Sequence, residues 1–280
     1  MLSTILTVPG GGTPNEDAAA ASTDLLVVLD GLTSPPSLGT GCAHGTPWYV
    51  RHLAARLIER ASVRQGAGLA GILAEAIDAV GTEHRGCDLA HPGTPSATVG
   101  LLRAGADTVD YLVLADCTAL IDSGGHVEAV TDPRAEQMEP GLQSAVLTAP
   151  LASAQRAAAL DAWITVQRGY RNQPGGYWIA GSVPEAADHA LTGTRPTAEV
   201  RSAAVMSDGA SRYSDTFALG DWTEALAAID HSPSAVIARV RACEHEDAQC
   251  VRWPRFKTSD DATIAFWRPA PGRTGTTTDE

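Results

Sequence analysis

The sequence predicts an α+β fold, a four-layer α-β-β-α sandwich of two antiparallel sheets packed together and flanked by helices. Three observations predict it. Short β-like runs fall at the start, middle and end of the chain, two blocks of helical periodicity separate them, and no internal repeat or linker divides residues 1–267. The 280 residues and 44% hydrophobic content suit a packed core. One domain is therefore expected over 1–267, with 268–280, which lack periodicity, as a disordered tail.

The elements follow in order. MLSTILTVPGGG carries no basic n-region and only a short apolar run, so it fits a first strand better than a signal peptide. A Gly/Pro loop over 9–14 leads to Asn15-Glu16-Asp17, and then the apolar run DLLVVLDG stops on Asp30-Gly31. A second loop, 33–45, ends in Thr46-Pro47, which resembles an N-cap with proline at the first helical position. The next helix places Val50, Leu53, Ala54, Leu57 and Ile58 on one face at i, i+3, i+4 spacing, and 69–80 has the same character. From 96 to 130 the runs SATVGLLRA, TVDYLVLAD, TALID and HVEAVT, separated by Gly and Asp turn signals, read as an antiparallel meander. An Ala-rich helix is expected over 153–168, then a candidate strand at 177–180 after RNQPGG. AAVMSDG gives a strand that delivers a second Asp-Gly at 208–209. Helical patterns return over 222–229 and 233–244, and the last strand is 262–267.

A net charge of −13 argues against a broad nucleic-acid surface, which needs clustered positive charge. It leaves room for an acidic enzyme whose bound cations reverse the local field. No apolar segment approaches the ~20 residues that span a bilayer, so a soluble, cytoplasmic protein without membrane partners is expected. The five cysteines, Cys42, Cys87, Cys117, Cys243 and Cys250, show neither CxxC spacing nor a paired framework and read as reduced thiols.

Four acidic clusters sit where strands begin or end: Glu16-Asp17, Asp30-Gly31, Asp208-Gly209 and Asp260-Asp261. Each alone is an ordinary turn signal. Converging, such carboxylates would hold two hard cations, Mg²⁺ or Mn²⁺, ~3.5–4 Å apart with an activated water between them, an arrangement suited to phosphoester hydrolysis. Glycine after Asp30 and after Asp208 would let a carbonyl or water approach closely.

Taken in order, PNEDA at 14–18, VVLDG at 27–31, PSATVGLL at 95–102, LADCTALI at 114–121, VMSDGAS at 205–211 and SDDATIAF at 259–266 resemble the metal-dependent protein phosphatase family of the 2C type. The resemblance implies a β-sandwich flanked by helices with a dinuclear Mg/Mn centre in a cleft at one end. It implies Asp17, Asp30, Asp208 and Asp260 as metal-binding carboxylates, the Gly31 carbonyl as a further ligand, Glu16 acting through water, and Asp116 at a third, weaker metal site. The implied activity is hydrolysis of a phosphomonoester, foremost on phosphorylated serine or threonine of a protein, by attack of a metal-bridging hydroxide. Two alternatives stay open: a catalytically weak or inactive phosphate-sensing protein, and a phosphatase of a small phosphorylated molecule. The oligomeric state is not readable.

The chain departs from the family pattern at several positions. Where the family places a phosphate-gripping arginine, four residues before Glu16, this chain has Gly12, and glycine cannot supply a guanidinium fork. His44 and Arg51, just beyond the loop after Asp30, are the candidate replacements. Leu32 stands where many members carry a histidine suited to protonate the leaving alcohol, and His44 is again the candidate, against the alternative of a loop histidine bonded to backbone. The Gly-Asp-Ser-Arg turn is here Ala115-Asp-Cys-Thr118, so Asp116 also reads as a plain turn residue and Cys117 as a buried thiol. Trp163 reads as core. Arg168 and Arg171 flank a loop at the place of the family's variable flap, where they would meet an anionic partner or simply solvent.

Overall fold

In the computed structural model, which describes residues 2–11 and 14–270, ten strands form two five-stranded antiparallel sheets. The first, in the order β1-β10-β9-β6-β7, joins Leu2–Val8, Ala262–Arg268, Val200–Met206, Thr118–Ser123 and His126–Val130. The second, in the order β2-β3-β4-β5-β8, joins Asp17–Ala21, Leu25–Gly31, Ala97–Ala104, Thr108–Leu114 and Leu191–Pro196. Gly12 and the tail from 271 onward lie outside the described residues.

β3 shows why the layers stack as they do. Its residues alternate between the two sheet faces. Leu25, Val27 and Leu29 enter one cluster with Tyr49, Leu53 and Leu57 of α1 (Thr46–Val63) and Ile72, Leu73 and Ile77 of α2 (Leu69–Glu83). Leu26 and Val28 enter another with Ala203 and Val205 of β9 and Ala265 and Trp267 of β10. Both faces are therefore buried, which is why the strand reads as an unbroken apolar run. Each such side chain contributes about 1.5–3 kcal/mol on burial. Between the sheets the packing is close: a Cβ on Gly100 would meet Val205 Cβ at 3.2 Å. On the far side, Leu120, Met206, Ile264 and Phe266 pack under Leu226 and Ile229 of α6 (Trp222–His231) and Val236, Ile237 and Val240 of α7 (Pro233–Glu246).

Several local expectations are corrected. The run from 96 to 130 is not one meander: β4 pairs with β5 and β6 with β7, but β5 and β6 belong to opposite sheets. The chain crosses between them at Ala115, whose φ of 63° makes the sharp turn, so Asp116 is delivered to the end of the sandwich. Residues 177–180 form only isolated bridges, Ala97 to Ala180 and Arg171 to Tyr177, because Tyr177 and Ile179 turn into a small apolar cluster with Ala115. Thr46 is not the N-cap. Gly45 is, without a side-chain bond, and the Thr46 hydroxyl donates to the Leu32 carbonyl at 3.1 Å. Two elements were not foreseen, β8 and the helix α3 (Pro140–Thr148). The Ala-rich helix α4 (Ala154–Gly169) begins as expected, with the Ser153 hydroxyl accepting from the Arg156 N–H at 3.0 Å.

Candidate metal centre

The acidic clusters meet at one end of the sandwich. Asp17 opens β2 and stands directly opposite Asp30 in the β2–β3 register. Antiparallel partners hold their Cβ atoms ~4.5–5.5 Å apart, and like charges so placed repel. Asp208 follows β9 and opens the one-turn α5 (Asp208–Ser211), while Asp260 lies two residues before the neighbouring β10. β3 and β9 lie in opposite sheets, so Asp30 and Asp208 reach the same cleft from the two sheets.

Burial and mutual repulsion govern these groups. Burial, then the charges of Asp17, Asp208, Asp116 and Asp260, hold the Asp30 carboxyl well above its ordinary range. Asp17 is pushed up to about 7, chiefly by burial, although the Thr263 and Ser207 hydroxyls donate to its Oδ2 at 2.6 and 2.8 Å. Asp116 is likewise pushed up to about 7 by burial and by Asp208. Burial and Asp260 raise Asp208, partly offset by Arg212 and Lys257. Glu16 is raised by burial against a bond from the Thr33 hydroxyl. Asp17 Oδ1 and Asp116 Oδ1 are buried with no partner.

This donor set fits divalent cations. It is all hard oxygen, two buried oxygens lack a donor, and the charges that repel one another would be neutralised by bound ions. Among the described residues no trio of these carboxylates brings its oxygens all within 4.8 Å of one another.

The glycines have packing reasons of their own. A Cβ on Gly31 would lie 2.3 Å from Thr46 Cγ2 and 2.5 Å from the Glu16 carbonyl oxygen, and one on Gly209 would lie 1.9 Å from the Asp261 carbonyl oxygen. Asp261 is a clamp: its two oxygens accept from the Gly10 and Glu16 N–H groups at 2.8 and 2.6 Å, tying the loop before β2 to β10.

A cleft of about 680 Å³ opens over Asp30, Asp116, Asp208 and Asp260. Leu32 is on its rim, and Leu160, Trp163 and Ile164 of α4 form an apolar wall in which the Trp163 ring stacks on Phe256 at 4.6 Å. Trp163 is thus half-buried in the cleft wall rather than core. His44 and Arg51 do not line the cleft, which corrects the expectation that one of them serves it. Arg51 is exposed on α1, and the His44 ring stacks on Trp48 at 4.4 Å.

The cations that do line the cleft are Arg168, Arg171, Arg212 and Lys257. Arg168 is buried rather than solvated, donating to the Leu38 and Gly39 carbonyls at 3.2 Å each. Lys257 Nζ and Arg212 Nη2 both reach Asp260, at 2.8 and 2.9 Å, and Arg212 also pairs with buried Glu244 at 2.8 Å. Lys257 and Arg212 were missed from sequence. The only available signal was the i, i+3 spacing of Lys257 and Asp260.

The two antiparallel sheets flanked by helices match the fold of solved serine/threonine phosphatases. The sequence profile of the family described as protein phosphatase 2C matches residues 10–249, and the chain belongs to that family. Comparison with curated proteins finds no match. Among solved structures, the serine/threonine phosphatase Stp1 from Staphylococcus aureus is similar at TM-score 0.56 and 12% identity, over 96% of this chain and 95% of that one. The catalytic domain of the serine threonine protein phosphatase PstP, in complex with two manganese ions, is similar at TM-score 0.51 and 12% identity, over 95% of this chain and 96% of that one. PppA, a regulatory component of T6SS in Pseudomonas aeruginosa, is similar at TM-score 0.52 and 16% identity over the same shares. At these identities the likeness shows the fold. Among the described residues no helix is long and apolar enough to cross a membrane.

Proposed function

We propose that this chain hydrolyses phosphomonoesters with two Mg²⁺ or Mn²⁺ ions, acting on phosphorylated serine or threonine of a protein. The observation that carries the reading is the gathering of Asp30, Asp116, Asp208 and Asp260 on one cleft, with Asp17 opposite Asp30 in the β2–β3 register and the buried Asp17 Oδ1 and Asp116 Oδ1 left without donors. Family membership and the manganese in PstP support the kind of ion. Asp17, Asp30, Asp208 and Asp260 would hold the pair, with the Gly31 carbonyl as a further ligand, Glu16 acting through water and Asp116 at a weaker third position. Bound there, such ions lower the pKa of a water and neutralise phosphate charge.

The chain's own groups supply the rest. Lys257, 43% exposed at its side chain on the cleft, takes the phosphate-binding role that Gly12 cannot. Arg212 is held by Glu244 beneath it and keeps Asp260 in place. The Trp163–Phe256 wall receives apolar groups flanking the phosphoester. Manganese-dependent release of p-nitrophenol from its phosphate, lost in Asp30→Ala and in Asp208→Ala, is the expected result. Undiminished turnover in both variants contradicts the reading.

One observation favours a second reading, a weak or inactive phosphate sensor. Arg212 and Lys257 already neutralise Asp260, so cations of the chain itself serve part of the cluster. Manganese binding without turnover of p-nitrophenyl phosphate, phosphopeptides or small phosphorylated molecules would select it. Turnover confined to the small molecules would select a metabolite phosphatase instead.

A further inference from the structure

Beyond the acidic cleft, the loop leading into α1 and the segment after α2 meet at four side chains, Cys42, His44, His84 and Cys87. The donor atoms of Cys42, His44 and His84 all fall within 4.8 Å of one another. Cys87 Sγ lies 3.4 Å from Cys42 Sγ and 3.3 Å from His44 Nδ1, and Cys42 Sγ lies 3.6 Å from the same nitrogen. A disulfide would require ~2.05 Å between the sulfurs, so these are two thiols. Around a tetrahedral zinc with bonds of ~2.3 Å to sulfur and ~2.0–2.1 Å to nitrogen, two sulfurs stand ~3.8 Å apart and a sulfur and a nitrogen ~3.6 Å. The spacings among Cys42, His44 and Cys87 sit within a few tenths of an ångström of that polyhedron, while His84 stands within 4.8 Å of Cys42 and His44.

His84 supplies an independent observation. It is 5% exposed, and its Nδ1 lies 3.1 Å from the Val80 carbonyl oxygen. A carbonyl only accepts, so Nδ1 carries the proton and Nε2 is left as a bare lone pair. That buried Nε2 has no partner. Histidines that bind metal are held in this way, one ring nitrogen donating to a backbone carbonyl and the other free for the ion. Burial, together with the neighbouring His44 and His52, also holds His84 below the usual histidine range, in its neutral form. The Trp48 ring covers the cluster, 4.4 Å from the His44 ring and 4.5 Å from that of His84, and would shield bound metal from water.

We propose that Cys42, His44, His84 and Cys87 bind zinc as a structural Cys2His2 site. On binding, the two thiols release their protons to solvent and the two imidazoles coordinate as neutral bases, so the dication and two thiolates leave no net charge. Burial pushes the Cys42 thiol up, and the adjoining Cys87 adds to it, when no cation is present; coordination removes that proton outright. Four protein ligands leave no open position, so the ion acts as a clip and not as a reaction centre. The clip fastens the loop after Asp30, whose residues 32–37 line the cleft, to the end of α2. The inference stands apart from the phosphatase reading, because it uses none of the cleft carboxylates.

The test is elemental analysis of the full-length chain, reduced, supplied with zinc chloride and desalted. About one zinc per chain is expected, kept in Asp30→Ala and lost in the double variant Cys42→Ser/Cys87→Ser. No retained zinc, zinc kept equally by the double variant, or zinc lost with Asp30→Ala would overturn the proposal. If the double variant fails to fold, the wild-type chain loaded with cobalt decides: thiolate-to-cobalt charge-transfer bands with intense tetrahedral d–d bands support the site. The weak bands of an all-oxygen octahedral site alone overturn it.

Discussion

Two buried acidic sites in this molecule are built in opposite ways. Asp247, at the end of α7, is fully satisfied: its oxygens accept from the Val251, Arg252 and Trp253 N–H groups at 2.9, 3.1 and 3.0 Å and from Arg255 Nη1 at 2.8 Å. Against the upward push of burial, the Trp253 and Arg252 N–H groups, Arg255 and the Val251 N–H hold its carboxyl far below the ordinary range. At the cleft, Asp17, Asp30, Asp116 and Asp208 are all raised, and two of their oxygens have no donor. The same residue type is thus structural where the chain supplies its donors and a functional candidate where the chain withholds them.

The largest expected effect breaks the satisfied site. Arg255→Ala leaves Asp247 as a buried charge without its cation, and urea unfolding should show a loss of about 3–5 kcal/mol. Little change would mean that the backbone N–H groups alone suffice. Next comes the boundary between the two sites, where Lys257 pairs with Asp260. Lys257→Ala should raise KM for p-nitrophenyl phosphate about tenfold with kcat within a few-fold, as for loss of one charge-assisted contact to the substrate. An unchanged KM would return the phosphate-binding role to another group.

The effect of pH sharpens the contrast. In the fold Asp17 and Asp116 bind protons up to about 7, while in the unfolded chain the ordinary value is 3.8. Between those limits the native state holds more protons, so stability falls as pH rises. The metal-free chain should therefore melt progressively lower from about pH 4 to about pH 7, and manganese should reverse the trend at the upper end. Asp30→Asn should stabilise the metal-free chain at pH 8 by about 1 kcal/mol by relieving repulsion. A melting temperature that rises with pH over this window contradicts the account.

Much of the fold was legible because burial on both faces leaves a plain signal. The run that became β3 carries five unbroken apolar residues, β9 and β10 carry the apolar runs AAVM and IAFW, and α1 and α2 repeat their apolar positions at helical spacing. β8 escaped notice because LTGTRP lies at a sheet edge with most of its residues exposed, so no alternation marks it. α3 buries only Val146 and carries almost no periodic signal. The passage from β5 to β6 misled because a short turn looks alike whether the strands pair or part, and only the backbone at Ala115 distinguishes the two.

At the site, the aspartates were legible from their order and from the Asp-Gly pairs, whose glycines the packing demands. Arg212 was not, because its partners Asp260 and Glu244 are distant in sequence and nothing local announces them. The meeting of Cys42-x-His44 with His84-x-x-Cys87 was not legible, because these short pairs lie on separate segments that only the fold brings together.

The central claim is that the unsatisfied carboxylates exist to hold divalent ions. Calorimetric titration of the chain, first stripped of metal with a chelator, with manganese chloride tests it most directly. The account predicts two binding events in the wild type, with at least ~10-fold weaker binding in Asp208→Asn. No manganese heat in the wild type, or identical isotherms for both proteins, would contradict it.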